Sequence, residues 1–215
     1  MNLFIFDLDG TLVDTKKNIA LAINFAMRAI DLEEIPLPII SSFVGDGSKR
    51  LLERCFTHHN ISDSNLYSKA WNIFYEYYYD NVEQCTQLYP EVENVLKRLE
   101  NHHLAVLTNK PQKMANKLLK YLQIDGYFCE IIGGEAPEKL KPNPENLLHL
   151  IEKYPADKSI MVGDSKVDIQ VAKNANIPCI ALTYGFGKRE ELEEANFIID
   201  SFNEVHKVIT ENFRN

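Results

Sequence analysis

The chain has 215 residues, 45% of them hydrophobic, enough for one large core or for a core carrying an inserted unit. Its formal charge of -8 argues against nucleic-acid or anionic-membrane binding, which rests on basic surface, and means that an anionic substrate needs a local cationic site. Cys55, Cys85, Cys129 and Cys179 lack metal-ligand spacing and the density of a disulfide scaffold, and no apolar run is long enough for a membrane span.

In chain order, Leu3 to Phe6 read as a short buried strand that runs into Asp7-Leu8-Asp9-Gly10-Thr11. A strand here, in place of a charged and apolar leader, predicts a soluble cytoplasmic protein. Gly10 lets the chain turn sharply, so Asp7 and Asp9 are presented together at the strand's carboxyl edge, where open α/β sheets bind ligands. Two carboxylates this close repel unless a proton or cation lies between them, and a hard divalent ion such as magnesium would remove the repulsion. An acidic turn without a ligand is the alternative reading of these residues.

Apolar residues at three- and four-residue intervals predict a helix over residues 15 to 31, punctuated by Pro36 and Pro38, a second around Leu51, Leu52, Cys55 and Phe56, and a third from Leu66 to Tyr79. The aromatic run Trp71, Phe74, Tyr75 and Tyr78 lacks interleaved Lys and Arg, so it reads as helix packing and not as a stacking surface for bases.

From Pro90 onward helix and strand alternate. Strands are predicted at Leu104 to Leu107, Glu130 to Ile132, Ser159 to Val162, Cys179 to Leu182 and Phe197 to Ile199, and helices at Val92 to Leu99, Met114 to Leu122, Asn146 to Ile151, Ile169 to Ala175 and Val205 to Ile209. This alternation predicts an α/β fold, a doubly wound parallel, Rossmann-like sheet interrupted after its first strand by an all-helical cap. The expected division is an α/β core of residues 1–14 and 86–215 and a helical cap of residues 15–85.

Further strand ends carry polar residues of a matching kind. Leu107 is followed by Thr108-Asn109-Lys110-Pro111, Val162 by Gly163-Asp164-Ser165 with Asp168 a turn later, and Lys139-Leu140-Lys141-Pro142 lies between them. Each alone reads equally as a helix start, a cap or a surface turn. Brought to one crevice they supply an acidic metal site, a hydroxyl donor and a lysine, an inventory that fits phosphoryl transfer.

With those motifs in that order, the sequence resembles the haloacid dehalogenase superfamily of phosphatases over nearly its whole length, and is similar to phosphoglycolate phosphatases through Phe43-Val44-Gly45-Asp46-Gly47, Thr-Asn-Lys-Pro and Tyr184-Gly185-Phe186-Gly187. The resemblance implies Asp7 as nucleophile, forming an aspartyl-phosphate, and Asp9 as general acid and then base. It implies Mg2+ held by the Asp7 carboxylate, the Asp9 backbone carbonyl and Asp164, with Asp168 in support. Thr108 would donate to the phosphoryl group, and Lys141, preferred to Lys139 because proline follows it directly, would neutralise charge. Gly10, Asn109, Lys110, Gly45, Lys49 and Arg50 are the substrate-binding candidates, Lys49 and Arg50 as partners of a substrate carboxylate.

The implied partner is a small phosphorylated metabolite, the implied state a monomer or homodimer. Two departures stand out: Asn176 where a glycine commonly ends the helix, and Asp46, an added negative charge in the cap loop. The alternatives within the superfamily are a pyrophosphatase, a sugar-phosphate phosphatase, a phosphomutase and a dehalogenase, the last opposed by Asp9. A receiver-like signalling module, the alternative of another class, lacks a second acid beside its nucleophile and lacks such a lid. A P-loop protein is opposed by the absence of its glycine-lysine signature.

Overall fold

The structure, a computed structural model, describes residues 1–213. Strand β1 (Leu3–Phe6) lies at the centre of a parallel sheet with β4 (His103–Leu107), β5 (Glu130–Ile132), β6 (Ser159–Gly163), β7 (Cys179–Leu182) and β8 (Phe197–Ile199). The order is β5-β4-β1-β6-β7-β8: the chain first builds outward on one side of β1 and then on the other. The carboxyl end of β1, beside β4 and β6, is therefore the point at which strand order reverses and a crevice opens.

Both faces of the sheet are covered, which is why its strands are apolar throughout. Phe4, Phe6, Val106, Val162 and Ile180 point into one core, while Leu3, Ile5, Ala105, Met161 and Ala181 point into the other, the two-residue period of a strand. Helices α5 (Val92–Arg98), α6 (Gln112–Tyr121) and α9 (Asn203–Asn212) pack on the first face, and α7 (Glu145–Lys153) and α8 (Lys166–Asn174) on the second.

Between β1 and α5 stand α1 (Lys16–Arg28), α2 (Leu37–Phe43), α3 (Ser48–His58) and α4 (Ser64–Asp80). Helix α2 falls where prolines were expected only to punctuate. Pro36 is its N-cap and Pro38 lies in its first turn, where the missing N–H has no helical acceptor in any case. Two elements were not foreseen: β2 (Val13–Asp14) and β3 (Gln87–Leu88) form an antiparallel ribbon where the chain leaves the sheet for the helical block and returns. Elements of two residues carry too little periodicity to be read from sequence.

The aromatic run on α4 packs as expected: Phe74 and Tyr78 are buried with their rings 5.4 Å apart, and Trp71 and Tyr75 are half-buried beside them. Asn176 does end α8 in the left-handed region, at φ 56°, with the Ile177 N–H donating back to the Ala172 carbonyl at 3.0 Å. Replacing Asn176 by Val should therefore lower stability by about 1–2 kcal/mol, and Asn176→Gly should leave it within about 0.5 kcal/mol. Urea midpoints of the two variants check this.

Candidate active site

The carboxyl ends of β1, β4 and β6 deliver their polar residues to one place. Asp7 continues β1, its N–H donating to the Val162 carbonyl at 2.9 Å. The chain then turns tightly, the N–H groups of Leu12 and Val13 both donating to the Leu8 carbonyl at 3.0 Å. Gly10 has φ 91°, and a Cβ there would overlap the Asp164 carboxylate. Only glycine lets the turn approach this closely.

Lys141 lies at the centre, buried, its Nζ 2.7 Å from Asp7 Oδ1 and 2.6 Å from Asp168 Oδ1. Lys139, by contrast, is at the surface and pairs with Glu145 at 2.6 Å. Asp168 is wholly buried; its second oxygen accepts from the Ser165 hydroxyl at 2.6 Å and from the N–H groups of Ser165 and Asp164 at 3.0 and 3.2 Å. It thus fixes the β6–α8 turn and Lys141 together. Asp164 accepts from the Thr11 hydroxyl and from the Phe186 N–H, both at 2.7 Å. A Cβ on Gly185 would overlap it.

Asn109 departs from the expectation of a substrate-facing amide. Its Oδ1 accepts from the Lys141 N–H at 2.8 Å, and its Nδ2 donates to the carbonyls of Lys141 and Gly45 at 3.0 and 2.9 Å. The side chain stitches the Lys141 loop to the α2–α3 loop and is taken up by backbone. Thr108 is buried at the crevice wall, its hydroxyl oxygen accepting from the Lys110 N–H at 3.2 Å. Lys110 is buried too, with Nζ 2.9 Å from Asp9 Oδ1 and hydrogen-bonded to the Tyr78 hydroxyl.

Of the cap candidates, Gly45 lines the crevice together with Gly47 and Ser48 at the start of α3. Lys49 sits over the Trp71 ring at 5.9 Å and lines an adjoining cleft of about 160 Å³. Arg50 is not brought to the crevice. Helix α3 buries Leu51, Leu52, Cys55 and Phe56, which leaves Arg50 on the outer face, paired with Glu53 at 2.8 Å. The added charge of Asp46 is met by an ion pair with Arg54, whose guanidinium also donates to the Phe43 carbonyl at 2.7 Å.

Sequence reasoning missed Thr11, Tyr78, Phe186 and Arg54 as parts of this arrangement. Thr11 and Phe186 lay inside the quoted motifs, which is signal enough to find them. Tyr78 and Arg54 sit on ordinary helix faces, and their parts here rest on where a hydroxyl and two guanidinium nitrogens end up.

Burial dominates the electrostatics. It pushes the Asp7 carboxyl up to about 7, Lys141 opposing and Asp168 and Asp9 adding to the rise. Asp164 is raised well above the carboxylate range by burial, then by Asp168 and Asp7. For Lys141 burial works against the charge, and Asp168 and Asp7 outweigh it, holding the ammonium above the ordinary lysine range. The donor set fits a hard divalent cation: Asp7, Asp164 and Asp168 each offer an oxygen within 4.8 Å of the others, and the raised carboxyls of Asp7 and Asp164 mark negative charge that Lys141 offsets only in part. Asp168, with Lys141 on one oxygen and three donors of the turn on the other, is the most fully engaged of the three, so Asp7 and Asp164 are the candidates to hold the cation.

The crevice encloses about 50 Å³, walled above the carboxylates by Ile19, Val44, Leu51 and Phe186. A doubly wound sheet with paired acids at its switch point, a buried lysine between carboxylates and a helical block inserted after its first strand are the fold and site of a hydrolase. The haloacid dehalogenase-like hydrolase family matches residues 4–182, and the chain belongs to that family. It is 34% identical over 220 residues to a phosphoglycolate phosphatase of Aliivibrio fischeri, covering 98% of this chain and 97% of that one. It is 34% identical over 213 residues to a phosphoglycolate phosphatase of Neisseria meningitidis, covering 94% and 91%. The crystal structure of a predicted phosphoglycolate phosphatase from Haemophilus somnus superposes with a TM-score of 0.89 at 30% identity, covering 96% of each chain. Among the described residues no helix is long and apolar enough to cross a membrane.

A carboxyl raised in the folded state costs stability as pH rises from its unfolded value of 3.8 toward its folded value, about 7 for Asp7, and the cost stays in full above that. A cation bound between Asp7 and Asp164 removes this cost. The rise in Tm on adding magnesium to chelator-treated protein should therefore be larger at pH 8 than at pH 6, by thermal denaturation at matched ionic strength. An equal or smaller rise at pH 8 would contradict the site.

Proposed function

We propose that the chain is a magnesium-dependent phosphatase of a small phosphorylated metabolite, with phosphoglycolate the first candidate, working through an aspartyl-phosphate. The observation that carries this reading is the convergence of Asp7, Asp9, Thr108, Lys141 and Asp164 on one crevice at the sheet edge. Magnesium would be held by the Asp7 carboxylate, the Asp9 backbone carbonyl and Asp164. When bound it supplies positive charge against the phosphoryl oxygens.

In the first step an oxygen of Asp7 bonds to phosphorus as the ester P–O bond breaks, and the carboxyl of Asp9 gives its proton to the leaving oxygen. In the second, Asp9, now a carboxylate, takes a proton from water as that water attacks phosphorus, releasing phosphate and restoring Asp7. Thr108 donates its hydroxyl to a phosphoryl oxygen, and Lys141 balances the charge that Asp7 and the phosphoryl group share. Asp168 acts through Lys141 and the Asp164 turn.

Residues 15–85 act as the cap, turning on the β2–β3 ribbon and excluding water when seated. Phosphoglycolate is favoured by the names of the relatives. The Arg54 ion pair meets the charge of Asp46, so the loop presents no uncompensated negative charge to a substrate carboxylate. A cytoplasmic location fits such a metabolite.

Phosphate release with and without magnesium, across phosphoglycolate, pyrophosphate, sugar phosphates and an aryl phosphate, tests the reading. The expected result is magnesium-dependent release with phosphoglycolate preferred, and a loss of about 10³-fold or more in Asp7→Asn. Full activity in that variant overturns the roles, and a preference for another ester overturns the substrate alone.

A further inference from the structure

The mechanism above gives Lys110 no task, yet its placement is specific. Its side chain is 1% exposed, and its Nζ lies 2.9 Å from Asp9 Oδ1, hydrogen-bonded to the Tyr78 hydroxyl and 4.5 Å from the centre of the Tyr78 ring. Asp9 belongs to the β1 loop, Lys110 to the segment after β4, and Tyr78 to α4 in the helical cap. A buried ammonium is costly unless its protons are matched, and here the matching groups are the Asp9 carboxylate and an oxygen and ring face brought by the cap. Sequence alone made Lys110 a substrate-binding candidate. In the structure its ammonium is already engaged.

We propose that Lys110 is a positioning residue for Asp9, and that Tyr78 completes its hold only when the cap is seated on the core. This rests on the phosphatase reading. A carboxylate free to turn about its last side-chain bond presents either oxygen over a broad range of angles. Anchoring Oδ1 on Lys110 fixes that rotation and leaves the other oxygen for the proton exchanged with the leaving group and then with water. Tyr78 in turn fixes Lys110 by accepting one of its protons, so the acid and base of the reaction is aligned by a contact that spans the cap boundary.

The test uses leaving groups. In the first step the Asp9 proton passes to the leaving oxygen as the P–O bond breaks, but a dinitrophenolate leaves without a proton, so Asp9 placement matters little for that ester. The full chain with magnesium is assayed on 2,4-dinitrophenyl phosphate and on the alkyl phosphomonoester it turns over fastest. Lys110→Met should lower kcat/KM on the alkyl ester by about 10²-fold and on the dinitrophenyl ester by less than about tenfold. Lys110→Arg should recover part of the alkyl activity, and Tyr78→Phe should show the same bias at about three- to tenfold.

Equal losses on both esters, or no loss on either, overturn the proposal while leaving the phosphatase in place. If Lys110→Met does not fold, as judged by circular dichroism, Tyr78→Phe decides, because it deletes one oxygen and keeps the ring. A wild-type chain inactive on both esters overturns the phosphatase reading, and this proposal with it.

Discussion

The constraint on which the rest of the structure depends is the repulsion among the buried carboxylates Asp7, Asp164 and Asp168 at the carboxyl end of the sheet. Desolvation and mutual repulsion both oppose keeping Asp7 and Asp164 charged, and the Lys141 ammonium lies within 2.7 Å of Asp7 and Asp168. Many local features follow from holding that arrangement in place. Asp168 gives one oxygen to Lys141 and the other to the turn that bears Asp164. Asn109 fixes the backbone on which Lys141 is carried. Gly10 and Gly185 leave room for the Asp164 carboxylate where any side chain would displace it.

The sheet explains why the charges meet there at all. Connections from β1 and β6 run outward in opposite directions, so the loops after β1, β4 and β6 part above the strand ends and their polar residues face a common gap. Apolar strands covered on both faces hold the strand ends rigidly, and the site inherits that rigidity. The two-residue ribbon of β2 and β3 marks where the chain leaves this base for the helical block and returns to it.

Much of this was legible in the sequence because the strands are short apolar runs ending in charged residues, a pattern that alternation with helices makes unambiguous. Leu3 to Phe6 and Cys179 to Leu182 fall where the pattern put them. Asn176 was legible from a different signal, a residue tolerant of positive φ at a helix end. What was not legible depends on where single polar atoms end up. Asn109 reads as a ligand-facing amide until its three backbone partners are seen, and Arg50 and Arg54 differ by one helical turn yet face solvent and the loop respectively. Tyr78 belongs to an aromatic run that does pack as a run, and nothing in that pattern shows that its hydroxyl and ring face also meet a buried lysine.

The two aspartates of the first motif are each matched to a buried lysine, and the lysines differ in what holds them. Lys141 is fixed by Asp168 and Asn109, both in the sheet-bearing part of the chain. Lys110 is fixed in part by Tyr78 from the cap. In the proposed reaction the charge partner of the attacking group is then held from the core alone, while the group that passes protons is aligned only under a seated cap. Such a division suits a hydrolase whose intermediate must meet one water at the right moment and be shielded from others, because charge neutralisation is needed throughout and proton transfer only after closure.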